Sequence, residues 1–305
     1  AKVDACVGRE VAEAVAALDG ANILMLENVR FYPEEEKNDP DFAKELAALG
    51  DIYVDDAFSS AHRAHASTEG VTHYLPSYAG PLMMEEIEAL RSALDRPDPP
   101  TAAIVGGAKV STKIPVLMNL IEKVDKLIIA GGMANTFYLA QGVEIGRSLA
   151  EPDYLETAHE VMKAAKAKSC EVVLPPDAVV AKELKPGVPT ATVPILEVPP
   201  DSMILDVGPK SVEHFTDVLT RCRTLLWNGP LGAFEVPPFN QGTFALAQEV
   251  ARLTKARKLV SIAGGGDTVA ALNDAGVADQ FSYVSTAGGA FLEWLEGREL
   301  PGVAA

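Results

Sequence analysis

The sequence predicts an α/β fold built on parallel sheet, and three observations predict it. Five short apolar runs, residues 103–105, 127–130, 225–227, 259–263 and 283–287, each stop at glycine: Gly106-Gly107, Gly131-Gly132, Asn228-Gly229, Gly264-Gly265-Gly266 and Gly288-Gly289. The runs are mainly apolar, with Ser261, Ser285 and Thr286 the polar exceptions, as strands buried on both faces are, and stretches of helical periodicity separate them. Residues 82–94 carry apolar side chains at helical spacing between two proline-marked breaks, which suits a connector between two lobes, with hinge motion at its ends.

The chain of 305 residues, 48% of them hydrophobic, has the size and composition of a globular protein with one or two sizeable cores. A net charge of −17 argues against non-specific binding to nucleic acid or to an anionic membrane, so an anionic ligand needs locally clustered cations. Cys6, Cys170 and Cys222 are widely spaced and lack a C-x-x-C pair, which argues against disulfides and zinc and for a reducing compartment. No apolar stretch approaches membrane-span length, and Lys2, Asp4, Arg9 and Glu10 are unlike a signal peptide.

Taken in order, residues 1–6 read as the tail of a strand with something expected upstream, and residues 9–18 as a helix ending at Asp19-Gly20. Residues 23–26 form the next expected strand, 34–40 a solvated polar loop, 41–49 a helix and 51–54 a strand. The two strands at 23–26 and 51–54 would share a parallel sheet and finish near Arg30 and Arg63, arginines suited to bidentate capture of a carboxylate or phosphate. Surface pairing with a nearby acid is the alternative for either. His62, His65 and His73 lack metalloprotease spacing and any cysteine partner, so a metal there is disfavoured. Beyond residue 101, helices are expected at 113–123, 135–141, 152–167 and 242–253, with another after Ser211, and a short β excursion at 179–200.

The chemistry concentrates at Gly106-Gly107-Ala108-Lys109-Val110-Ser111-Thr112-Lys113. A strand, a glycine turn and a helix start offer free N–H groups and the positive end of a dipole, and Lys109 and Lys113 at i and i+4 would add two charges on one helix face. One such turn can be simple punctuation, and neither the P-loop nor the G-x-G-x-x-G pattern is present. Repetition strengthens the phosphate reading, because five glycine turns would meet at the carboxyl edge of one sheet.

Six motifs in order resemble phosphoglycerate kinases: Leu26-Glu27-Asn28-Val29-Arg30-Phe31, Asp56-Ala57-Phe58 with Ala61-His62-Arg63-Ala64-His65, Gly106-Gly107-Ala108-Lys109-Val110, Trp227-Asn228-Gly229-Pro230-Leu231-Gly232-Ala233-Phe234-Glu235, Gly264-Gly265-Gly266-Asp267-Thr268, and Glu296-Gly297-Arg298-Glu299-Leu300-Pro301-Gly302-Val303. The resemblance implies two Rossmann-like lobes with parallel sheets flanked by helices. These would be a phosphoglycerate lobe at 1–78, a connector helix and hinge at 79–96, a nucleotide lobe at 97–287 and a tail at 288–305 returning to the first lobe. It also implies a monomeric cytoplasmic enzyme that moves a phosphoryl group between MgATP and the carboxylate of 3-phosphoglycerate. Lys109, with the backbone of Gly265 and Gly289, would stabilise the moving group. Gly107, Ala108, Lys113, Gly131, Gly132, Asn228, Pro230, Glu235, Gly264, Gly265, Gly266, Asp267 and Thr268 would hold the nucleotide. Asp267 would contact Mg2+, a role that stands beside its alternative as a helix N-cap. Arg30, His62 and Arg63 would hold the phosphoglycerate.

This chain departs from the family's pattern at Ala130 and Ala287, where glycine is usual, at Asp55, where asparagine is common, and at Ser59, where glycine is. The resemblance also implies that roughly the first half of the N-terminal lobe is missing, with its acidic and asparagine substrate contacts and a bridging arginine. An inactive nucleotide-binding fragment is therefore the alternative expectation. A dehydrogenase on a similar sheet is a weaker one.

Overall fold

The computed structural model describes residues 1–305 and divides them into two units, Ala1–Ile87 with Arg298–Ala305, and Glu88–Gly297. In the first unit the elements are α1 (Arg9–Ala16), α2 (Pro33–Glu36), α3 (Pro40–Ala47), β1 (Tyr53–Asp55) and β2 (Ser77–Ala79), and α4 (Pro81–Leu94) continues from it into the second. Asp39 caps α3, its carboxylate accepting from the amides of Asp41 and Phe42, and Pro40 follows as the first helical residue. Phe42 stacks on Tyr32 at 5.1 Å between ring centroids, over a small core of Cys6, Ala43 and Ala66.

Three expectations for this unit are corrected. Residues 23–26 do not form a strand; Met25 makes one parallel bridge with Lys2, and Ile23 stays 82% exposed. The segments ending near Arg30 and Arg63 therefore share no sheet, since β1 pairs only with β2. Extended, apolar sequence makes a strand only where a neighbour completes its hydrogen bonds. The expected solvated loop at 34–40 begins inside α2, whose Glu35 is buried and accepts from the Ser67 amide at 2.9 Å and the Ser67 hydroxyl at 2.6 Å.

The second unit runs β3 (Thr101–Val105), α5 (Ile114–Ile121), β4 (Lys126–Ile129), α6 (Gly132–Ala140), α7 (Leu155–Ala167), β5 (Glu171–Val173), β6 (Asp177–Ala181), β7 (Ala191–Pro194), β8 (Met203–Val207), α8 (Pro209–Thr220), β9 (Thr224–Asn228), α9 (Gln241–Lys255), β10 (Val260–Gly264), α10 (Gly266–Asp274), β11 (Tyr283–Ser285) and α11 (Gly289–Leu295). Six strands form one wholly parallel sheet in the order β11-β10-β9-β3-β4-β5, so the five predicted glycine turns do meet at one edge. The chain winds outward from β3 on one side and from β9 on the other. Between them lies the switch point at which open α/β sheets bind ligands. The predicted β excursion is a separate antiparallel sheet, β7-β6-β8, extended by Met203–Val207.

Trp227, Phe215, Leu225, Leu246 and Ala263 are among the side chains filling the core beside the large sheet. Helix α5 begins later than expected, at Ile114 with Lys113 as N-cap and a proline in its first turn, so Lys109 precedes the helix and shares no face with Lys113. Residues 288–297, expected to return to the first lobe, belong to the second unit: Asn119 Nδ2 donates to the Leu295 carbonyl at 2.9 Å, and the Phe291 ring packs on Gly264. Only Arg298–Ala305 joins the first. No helix is long and apolar enough to cross a membrane.

Candidate active site

The turns after β3, β9 and β10 wall a cavity of about 290 Å³, lined by Gly106, Gly107, Ala108, Lys109, Thr112, Lys113, Asn228, Gly229, Pro230, Gly265, Gly266, Asp267, Thr268 and Leu292. Close backbone approach dictates the glycines. The Gly106 amide donates to the Asn228 carbonyl at 2.8 Å, and a Cβ on Gly106 would lie 2.0 Å from the Pro230 carbonyl oxygen. Gly131, with φ of 71°, starts α6 where a Cβ would meet the Gly107 backbone at 2.7 Å. Ala130 and Ala287, by contrast, avoid the left-handed region, which falls on Gly131 and Gly288 instead. The two alanines therefore add no backbone strain.

A relay of hydrogen bonds orders this cavity. Lys113 Nζ donates to Asn228 Oδ1 at 2.6 Å, Asn228 Nδ2 donates to the Gly264 carbonyl at 2.7 Å, and the Gly229 amide donates to Thr268 Oγ1 at 2.7 Å. Burial lowers the pKa of Lys113, with Asp267 and Glu296 opposing the shift. A desolvated ammonium facing N–H-rich turns is a receptor for anionic oxygen. Lys109 is exposed on the same rim.

A second cavity, of about 350 Å³, shares Gly107, Ala108, Pro230 and Asp267 with the first and is walled largely by apolar side chains that include Leu149, Leu184, Ile204, Leu205 and Leu231. Gly131, Gly132, Tyr138, Asp206 and Glu235 also line it. The Tyr138 hydroxyl donates to the Pro175 carbonyl. Burial pushes the Asp206 carboxyl up to about 7, against hydrogen bonds from the Gly242 and Val207 amides. The two cavities make one cleft, polar and cationic at one end and apolar at the other.

Most of the sequence-predicted nucleotide residues converge here, with four adjustments. Asn228 lines the cationic half, away from the apolar one. Gly264 lines neither, lying against Phe291, and Gly289 lines neither, although Leu292 of the same helix does. Asp267 is no N-cap: Gly265 holds that position, and Asp267 sits exposed in the first turn of α10. Sequence reasoning missed Leu149, Ile204, Leu205 and Asp206, whose types carry no chemical signature at a distance from the motifs. In the first unit Arg30 Nη1 pairs with Glu36 at 2.8 Å, Arg63 is exposed and His62 keeps a buried Nδ1 without a hydrogen-bond partner. His65 is buried with Nδ1 3.9 Å from Glu35, and burial, then Arg30, lowers its pKa. His73 pairs instead with Glu69 at 2.7 Å. No cluster of three or more His, Cys, Asp or Glu side chains is placed to hold a metal ion by protein groups alone.

The family model for phosphoglycerate kinase matches residues 1–298. The phosphoglycerate kinase of Methylorubrum extorquens (strain PA1) is 61% identical over 300 residues, covering 98% of this chain and 75% of that protein. That of Rhizorhabdus wittichii is 62% identical over 300 residues, covering 98% and 76%. The structure of phosphoglycerate kinase from Coxiella burnetii superposes with a TM-score of 0.88 at 48% identity, over 92% of this chain and 72% of that one. The crystal structure from Pyrococcus horikoshii OT3 does so with a TM-score of 0.82 at 30% identity, over 99% and 77%. With a family match along nearly its whole length and a cleft at the switch point of its parallel sheet, the chain belongs to the phosphoglycerate kinase family.

Proposed function

We infer that the protein catalyses reversible phosphoryl transfer between MgATP and the carboxylate of 3-phosphoglycerate, so that 1,3-bisphosphoglycerate and ADP yield 3-phosphoglycerate and ATP. The observation that carries this reading is the two-part cleft, which pairs an apolar chamber sized for a nucleoside with an adjoining chamber of lysines and free backbone N–H groups. Phosphoryl transfer asks mainly for alignment and for neutralising charge on the moving group. Lys109 takes that second task, aided by the amides of Gly265 and Gly289 at their helix starts. Lys113 holds the nucleotide's phosphates, with Gly107, Ala108, Gly266 and Thr268 around them. Gly131, Gly132, Pro230 and Glu235 contact the nucleoside, Glu235 through the ribose hydroxyls. The acceptor carboxylate is already ionised at neutral pH, so no general base is required.

Mg2+ fits the donor set as a companion of the nucleotide. Asp267 is the one carboxylate among the lining residues of the cationic half, and Mg2+ typically takes one or two carboxylates together with substrate phosphates and water. The ion would supply charge neutralisation between the phosphates. Arg30, His62 and Arg63 would hold phosphoglycerate through its carboxylate and phosphate. We read the enzyme as a cytoplasmic monomer acting on small molecules alone.

The test is ATP formation from 1,3-bisphosphoglycerate and MgADP, with nucleotide affinity measured separately by calorimetry. Lys109→Ala is expected to cut turnover about a hundredfold while MgADP affinity changes by no more than about threefold. A Lys109→Ala rate equal to wild type overturns the role of that lysine. MgADP binding with no turnover in the unaltered chain overturns the catalytic reading and leaves a nucleotide-binding protein.

A further inference from the structure

The segment between α6 and α7 reaches the cleft beside the glycine turns, its Leu149 lying against Gly132, and one of its carboxylates is unused by the roles above. Glu151 Oε2 accepts from the Ser111 amide at 2.9 Å, and its Oε1 accepts from the Ser111 hydroxyl at 2.6 Å. Ser111 lies between Lys109 and Lys113, in a stretch with neither helix nor strand between Val105 and Ile114. Amides in such a stretch lack repeating partners, and an outside acceptor must supply them. The loop's own bonds complete the hold: the Thr112 hydroxyl donates to the Lys109 carbonyl at 3.0 Å, and the Lys113 amide donates to the Val110 carbonyl at 2.8 Å.

Glu151 is anchored in turn. Its own amide donates to Thr136 Oγ1 at 3.0 Å, and Thr136 is fully buried in α6. One residue earlier in the same helix, Asn135 Nδ2 donates at 3.0 Å to the carbonyl of Leu149, two residues before Glu151, and the Leu149 side chain walls the apolar half of the cleft. One short strap thus walls the apolar half and holds the loop whose Lys109, Thr112 and Lys113 line the cationic half. Burial works to raise the Glu151 pKa but is outweighed by the hydrogen bonds from Ser111 and the Val110 amide, with the charge of Lys109 adding to them, so the carboxyl is held below its ordinary range. Its charge is directed at loop donors, and it makes no ion pair with Lys109. The lysine remains free to meet phosphate oxygens.

We propose that Glu151 is a positioning residue for phosphoryl transfer, fixing through Ser111 the loop that presents Lys109. The inference rests on Lys109 acting on the moving phosphoryl group. A positioning residue of this kind acts on turnover more than on binding, because the loop must be in place when charge shifts, whereas the nucleotide is also held by groups elsewhere in the cleft.

The experiment compares Glu151→Ala, Glu151→Gln, Lys109→Ala and the double variant Lys109→Ala/Glu151→Ala in three measurements: steady-state transfer, MgADP affinity by calorimetry and hydrogen exchange of the peptide spanning 106–113 in the free protein. The loss of a charge-assisted pair of hydrogen bonds translates into about a tenfold to hundredfold fall in kcat for Glu151→Ala. MgADP affinity is expected within about twofold of wild type, exchange at 106–113 is expected to speed up, and Glu151→Gln should recover part of both effects. The double variant should be no slower than Lys109→Ala alone, since Glu151 acts only through that loop. Wild-type exchange at 106–113 in Glu151→Ala overturns the proposal, as does a double variant slowed by the product of the single effects. If Lys109→Ala itself turns over normally, the reading of Lys109 fails instead, and the exchange measurement still decides whether Glu151 holds the loop.

Discussion

Lys113 shows how a single side chain carries both stability and ligand chemistry. Its folded pKa is lowered, chiefly by burial, so the unfolded lysine holds its proton to higher pH than the folded one. Through that alkaline window stability attributable to this group rises with pH, because the folded state no longer has to keep a charge out of water. An anionic phosphate reverses the preference and pulls a proton back on. Binding of MgADP in the alkaline window where the folded lysine has begun to lose its proton should therefore take up protons, seen as a buffer-dependent calorimetric enthalpy, and Lys113→Met should abolish the uptake. The glycines around it differ in kind. Gly106→Ala would force a methyl into the Pro230 carbonyl at 2.0 Å and should cost about 3 kcal/mol in denaturant unfolding. Gly107→Ala meets nothing within 4 Å but keeps φ at 124°, and should cost about 1–2 kcal/mol.

At the scale of elements, β8 lines the apolar chamber with Met203–Val207, and Asp206 ties that strand to the start of α9. Its Oδ2 accepts from Gly242 at the helix start and its Oδ1 from its neighbour Val207, yet burial dominates and its carboxyl titrates near 7. An unfolded aspartate ionises near 3.9, so between about pH 4 and pH 7 the folded state holds more protons than the unfolded one. The stability this group contributes is full at the acid end and declines as pH rises through about 7. Melting temperatures measured from about pH 5 to pH 8 should carry that slope, and Asp206→Asn should remove it whatever its effect on absolute stability. The same scale explains the late start of α5. Helical periodicity is legible from 114 onward, but nothing local shows that residues 108–113 fold as a loop pinned by Glu151, 40 residues further along the chain.

For the whole molecule, every residue that lines the two-part cleft lies between Gly106 and Leu292, inside the unit Glu88–Gly297. Ligand that binds only the folded state stabilises by mass action. MgADP at a hundredfold excess over its dissociation constant should thus add about 2.7 kcal/mol to that unit. Hydrogen exchange should show the added protection within 88–297, and protection appearing first in 1–87 would contradict the assignment of the nucleotide site.

The strand-glycine-helix units and the five turns at one sheet edge were legible in the sequence because they follow from local rules: side-chain period, glycine's access to positive φ and the apolar character of doubly covered strands. The motifs at Arg30, Lys109, Asn228 and Asp267 carried the family as well. Local rules say nothing about neighbours. That β3 lies beside β9 and creates the binding edge, that Glu35 is buried under Ser67, that residues 23–26 find only one bridge, and that Lys113 meets Asn228 across 115 positions are decided by which distant groups satisfy one another's burial and hydrogen bonds. Those pairings exist only once the chain has closed on itself, and so tertiary structure alone decided them.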